Sequence, residues 1–170
     1  MKLCRKDLIS TGMMKKVNRM SKIENIVTML ENTFGNNPWH GPSVKDALEN
    51  VSASHAPLRL NNSHSIIELV NHMTGWRNYV VKKLGIDVTF KMTPELNFPG
   101  EMDWSRTREN LDESQKKLIA TINEFDAAKL SHTVPFTKHP YTYYTMLHGI
   151  THHDLYHTGQ IVIIKKHFGI

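Results

Sequence analysis

The stretch "TYYTMLHGITHHDLYHTGQIVIIKKHF", residues 142–168, decides the fold and poses the functional question. On a wheel of ~100° per residue, Met146, Ile150, Ile161, Ile164 and Phe168 fall on one stripe. That pattern predicts a long amphipathic helix from about Thr142 to Phe168. His153 and His157 fall inside the apolar stripe, and Gln160 lies on its edge. His148 and His152 fall on the opposite side with Lys166, which predicts that they face solvent. Asp154 lies farther round and is expected to be exposed.

Working outward, three more helical patterns appear and no segment reads as a strand. The first runs roughly from Lys22 to Phe34, with Ile23, Ile26, Val27, Leu30 and Phe34 at three- and four-residue spacing and Ser21 as N-cap. "GNNPWHGPS" (35–43) ends it. A short helix over Ser43 to Asn50 and a connector, "SASHAPLRLNNS" (52–63), follow. The second long helix is expected from near Ser63 to a C-terminal glycine, Gly85, with Ile66, Leu69, Met73, Trp76, Val80 and Leu84 on one face. A loop with Pro94, Pro99 and Gly100 leads to the third, about Met102 to Phe125. There Trp104, Leu111, Leu118 and Phe125 recur every seven residues, a narrow seam of the bundle kind. "VPFTKHPYT" (134–142) separates it from the fourth. The predicted fold class is all-α, a four-helix bundle with a long first crossover.

Composition agrees with one globular domain. The 170 residues are 39% apolar and 22% charged, which sets the chain apart from disordered sequences. No apolar run approaches the ~20 residues of a membrane span. Cys4 is the single cysteine, so an internal disulfide framework and a Cys-rich zinc site are both excluded. "MKLCRKDLIS" lacks the continuous apolar core of a secretory signal, and a cytoplasmic location is expected. The net charge of +5 is confined to residues 1–19, where Lys2, Arg5, Lys6, Lys15, Lys16 and Arg19 face only Asp7. Residues 1–19 therefore read as a flexible basic extension, and residues 20–170, which open on "MSKIENI", as the domain. No aromatic residues accompany the basic ones, so no nucleic-acid partner is expected.

The two histidines in the apolar stripe demand an explanation. His153 and His157 are four residues apart, on one side of one helical turn. Burying an unpartnered polar ring costs about 1–3 kcal/mol, and here there are two. Either each donates to a group on a neighbouring helix, or the pair binds one transition metal. An open metal site needs a third protein ligand. His72 in "LVNHMTGW" is the best candidate, because it flanks the apolar face of the second helix beside Leu69 and Trp76. Glu68, one turn earlier, could orient His72 or add a ligand. His64 reads as a cap or a rim residue.

Three segments, "FGNNPWHGPSVKDAL" (34–48), "HSIIELVNHMTGWRNYV" (64–80) and "HHDLYHTGQIVIIKK" (152–166), together resemble the DinB-like superfamily of bacterial metal-binding four-helix bundles. The combination of one histidine on the second helix with H-x3-H-x-G-Q on the last carries the resemblance, which spans about residues 20–170. It implies that His72, His153 and His157 hold a divalent metal, zinc or nickel, with water completing the shell. It also implies a homodimer, and relates the chain to S-transferases that use bacillithiol or mycothiol. Trp39 and His40 of "PWHG" could line a pocket mouth, or Trp39 could pack at a tight turn.

The resemblance favours a metal-dependent S-transferase that takes a small-molecule thiol and an electrophile, while the residues themselves do not separate S-transfer from hydrolysis. No side chain is assigned a catalytic role, because the reactive group would be a water or thiolate on the metal. Cys4 sits in the extension, so the thiol must come from a cosubstrate. Arg77, Lys82 and Lys83 could meet such a thiol's carboxylates, although a solvated face is their simpler reading. A metal-dependent hydrolase on the same site and a non-catalytic, metal-binding stress-response protein are the alternatives.

Overall fold

The structure is a computed structural model that describes residues 20–100 and 103–170. The basic extension, Cys4 and the first expected residue of the third long helix, Met102, lie outside the described residues. The chain is mostly helical, and the described residues hold no strand beyond an isolated bridge between Thr133 and Thr142. Helix α1 spans Lys22–Phe34, α2 Val44–Leu48, α3 Ile66–Val81, α4 Pro94–Asn97, α5 Trp104–Asn123 and α6 Tyr143–Phe168. None is long and apolar enough to cross a membrane.

Side-chain caps set the helix starts. Ser21 and Glu24 form a reciprocal capping box on α1, and Ser65 and Glu68 form one on α3. The α3 box explains why this helix begins at Ile66 rather than near Ser63. The Ser63 hydroxyl instead accepts from the Leu60 amide and closes the preceding turn. A π-helical turn, Lys82–Ile86, extends α3 to Gly85, whose φ of 144° is open only to glycine. Asp103 caps α5 and Thr142 caps α6.

The four long helices pack pairwise: α1 and α3 each lie against both α5 and α6. Leu111, Leu118 and Ile122 form the buried seam of α5, and Trp104 reaches the Val51 carbonyl at 2.9 Å. The segment between α1 and α3 is more than a connector. Val51 and Ala56 are buried, Leu58 and Leu60 pack on the core, and α2 lies against α6.

Two expectations about charge are overturned. Arg77 and Lys83 are wholly buried, and so is Asp154. Arg77 donates to Asp154 at 2.8 Å, joining α3 to α6 through the interior. Burial raises the Asp154 carboxyl to about 6 although Arg77 pulls in the opposite direction. Lys83 donates to the Val88 and Pro135 carbonyls at 2.6 and 3.1 Å, and its Nζ lies 5.6 Å from the Tyr79 ring centroid. Half-buried Lys82 lies over the Phe90 ring. A wheel drawn for one helix does not register that α3 has neighbours on two sides. Phe168, assigned to the apolar stripe of α6, is exposed at the last position of the helix.

Breaking a buried ion pair from one side costs about 3–5 kcal/mol, because the partner charge stays buried. Asp154→Leu is expected to lower unfolding free energy by that amount in urea titrations. The double change R77M/D154L should recover most of the loss.

Candidate metal centre

The histidines reach one point from two helices. His72 projects from α3, two turns past the Ser65 cap, and His153 and His157 project from successive turns of α6. Their ligand atoms all lie within 4.8 Å of one another. His72 Nε2 is 2.9 Å from His153 Nε2, and His157 Nε2 is 3.2 Å from the same atom. His72 and His157 are buried, and His153 is half-buried.

The outer ring nitrogens fix the tautomers. His72 Nδ1 lies 2.7 Å from the Asn97 carbonyl oxygen, which can only accept, so the proton sits on Nδ1. His157 Nδ1 lies 2.7 Å from Gln160 Oε1 and donates to it. Both rings therefore turn a bare Nε2 lone pair toward His153 Nε2. A single proton on His153 could satisfy one of them and leave the other facing electron density. One cation at the shared point satisfies all three. Two nitrogens bound to one metal at ~2.0–2.1 Å stand roughly 2.9–3.4 Å apart at angles of ~90–110°, which brackets the two separations from His153 Nε2. The donor set thus fits a divalent transition metal, and three neutral imidazoles leave further positions open. His153 Nδ1 is buried with no hydrogen-bond partner among the described residues.

Neighbouring groups hold the rings in place. Asn97, the last residue of α4, also accepts from Trp76 Nε1 through its side-chain oxygen at 2.9 Å. Phe98 stacks on His72 with centroids 4.2 Å apart and on His64 at 3.7 Å, so it lies between the two imidazoles. Burial holds His72 and His157 below the usual imidazole value. Burial, reinforced by the neighbouring His157, His72 and Arg77, pushes His153 down to about 3. All three rings are neutral at pH 7, the form that ligates metal.

The structure brings His72, His153 and His157 together as the sequence pattern anticipates, and Gln160 serves the cluster from the edge of the stripe. Glu68 does not join it. Its carboxylate is held by Ser65, with Arg59 at 3.5 Å and His64 at 3.7 Å. His64 is a rim residue stacked on Phe98. His152 is exposed as expected, whereas His148 is half-buried against Tyr144. Trp39 is fully exposed and His40 is exposed, so Trp39 is not packed at its turn. Asn97 and Phe98 were not legible as site residues. The only local signal is Thr93–Pro94, a cap followed by proline at the first helical position, which marks a helix start inside the loop.

A family model described as the DinB superfamily matches residues 43–161, which holds all three histidines and most of the chain. No curated protein and no solved structure gives a significant match.

The depressed imidazole values have a definite sign. Unfolded histidines titrate near 6.5, so below that pH the unfolded chain binds more protons than the folded one. This contribution to stability is complete above pH 6.5 and is lost as pH falls toward the folded values. Asp154, raised to about 6, acts oppositely between pH 6 and 4. Metal-free protein is expected to lose stability between pH 7.5 and 5.5 in denaturant titrations. His153→Leu should remove about 1 kcal/mol of that loss, allowing for the ring's partial exposure.

Proposed function

The chain belongs to the DinB superfamily, and we propose that it is a metal-dependent S-transferase. In this reading His72, His153 and His157 hold one divalent transition metal, zinc or nickel, and a low-molecular-weight thiol such as bacillithiol is the cosubstrate. The carrying observation is the meeting of three Nε2 atoms whose lone pairs no protein donor can all satisfy. When bound, the metal acts as a Lewis acid that lowers the pKa of a thiol or water at its open positions.

The chain's own residues orient and shield. Asn97 and Gln160 fix two rings with Nε2 inward, and Phe98 covers His72. Neither nearby carboxylate is placed for general-base or general-acid work, since Glu68 is tied to its cap and Asp154 to Arg77. Hydrolysis of a carbonyl leans on such a group, as the glutamate does in zincin helices. Displacement by a thiolate does not, and this favours S-transfer. The sulfur lone pair forms a C–S bond as the bond from carbon to its leaving group breaks. The leaving group departs with the electron pair, and the thiol proton passes to solvent.

The wider reading is a DinB-type four-helix bundle over residues 20–170 with a basic extension before it, acting in the cytoplasm as a homodimer. The exposed Tyr156 and Ile163, seven residues apart on the outer face of α6, support self-association.

Purified protein should contain about one zinc or nickel per chain by elemental analysis, and His153→Ala should contain almost none. Absence of metal, with no rise in melting temperature on adding either ion, would refute the metal reading. Gln160→Leu removes the acceptor that orients His157 and should weaken metal binding about 10–100-fold. Metal-loaded protein should accelerate coupling of bacillithiol to 1-chloro-2,4-dinitrobenzene. A rate equal to that of the metal-free protein would leave metal binding standing and remove the transferase.

A further inference from the structure

A cleft of about 350 Å³ opens beside His153, a size that suits a small molecule. Trp76, Val80, Met146 and Ile150 supply apolar lining beside His153, and among the described residues no Asp, Glu, Lys or Arg lines it. Tyr79 and Tyr141 also line it, with hydroxyls 3.1 Å apart, and Thr145 lines it with its hydroxyl 3.0 Å from that of Thr142, so hydroxyl groups are the polar part of a mainly apolar lining. The chemistry selects an uncharged ligand with a large π-face, because aromatic walls reward stacking and a buried charge would find no counter-charge.

Gly149 gives a second, independent observation. It lies within the 26-residue α6, one turn before His153, and it lines the cleft. Glycine is the poorest helix former after proline. Nothing in the packing requires it there, since a Cβ at this position would meet no atom within 4 Å. Gly75 of α3 differs, because its Cβ would press on the Leu96 carbonyl at 3.2 Å. Gly159 is equally open but does not line this cleft, so the inference rests on the cleft and the glycine together. A side chain at position 149 would occupy the space next to His153.

We infer that this cleft binds an uncharged aromatic molecule against the three-histidine cluster, and that Gly149 keeps the seat open. The occupant's role as the electrophile rests on the S-transferase reading, whereas the binding itself does not. A polyanionic thiol finds no cation among the described lining residues, which leaves the cleft to the uncharged partner.

The test uses two probes with one ring system, the uncharged N-phenyl-1-naphthylamine and its sulfonated relative 1-anilinonaphthalene-8-sulfonate. Fluorescence titration of the full chain should give one site for the uncharged probe and at least tenfold weaker binding of the sulfonate. Gly149→Leu should weaken the uncharged probe tenfold or more while helix content and metal content stay at wild-type levels. Gly149→Ala should raise the melting temperature by about 2–4 °C, which shows that the position tolerates a side chain. Equal affinity for the two probes, or binding by Gly149→Leu within twofold of wild type, would overturn the inference. Failure of the probe to bind a wild-type protein that carries stoichiometric metal would overturn it and leave the metal centre standing. Probe binding to a wild-type protein that takes up neither zinc nor nickel would support the cleft and remove the metal on which the transferase reading depends.

Discussion

Three imidazole nitrogens share one small volume, and two of them are forced to present lone pairs there. This constraint organises the region around it. The Asn97 carbonyl and Gln160 Oε1 each take the outer proton of a ring, which leaves the inner nitrogens bare. Lone pairs of this kind repel unless something positive stands between them. Protonating the rings is one remedy, but burial disfavours it, most strongly at His153. A metal cation is the other remedy, and it satisfies all three rings at once.

Such a cluster requires α3 and α6 to hold a fixed register, since a slide of one turn would carry His72 past both partners. The Arg77–Asp154 pair supplies a lock for that register. Arg77 follows Trp76 on α3, Asp154 follows His153 on α6, and the two meet at 2.8 Å in a wholly buried position. Replacing a buried pair with apolar groups is often neutral for stability, so its value here lies in specifying one alignment. Beside this lock, Asn97 ties the short helix α4 to both His72 and Trp76. The wall of the apolar cleft and the orientation of a ligand ring thus depend on the same residue.

Much of this arrangement was legible in the sequence. Periodicity located the four long helices, and it separated His153 and His157 from His152 on one wheel. The three-histidine set followed from spacing together with one boundary histidine on α3. What stayed hidden depends on contacts between segments distant in sequence. Arg77, Lys83 and Asp154 look like surface residues on isolated wheels, and only their mutual neutralisation, or a cage of carbonyls, makes burial affordable. Glu68 looks like an outer partner of His72, but the local capping box claims it first. Asn97 acts on His72 through its backbone carbonyl, for which side-chain chemistry gives no sign.

Three Nε2 atoms acting together on one cation would leave a spectroscopic signature. The most direct measurement is the long-range ¹H–¹⁵N imidazole spectrum of the protein as zinc is titrated in. In the zinc-loaded protein His72, His153 and His157 should all carry their proton on Nδ1, and their Nε2 signals should shift together and saturate at one equivalent. A zinc-saturated spectrum in which any of the three keeps its Nε2 proton, or in which one ring's signal does not move, would contradict that shared ligation.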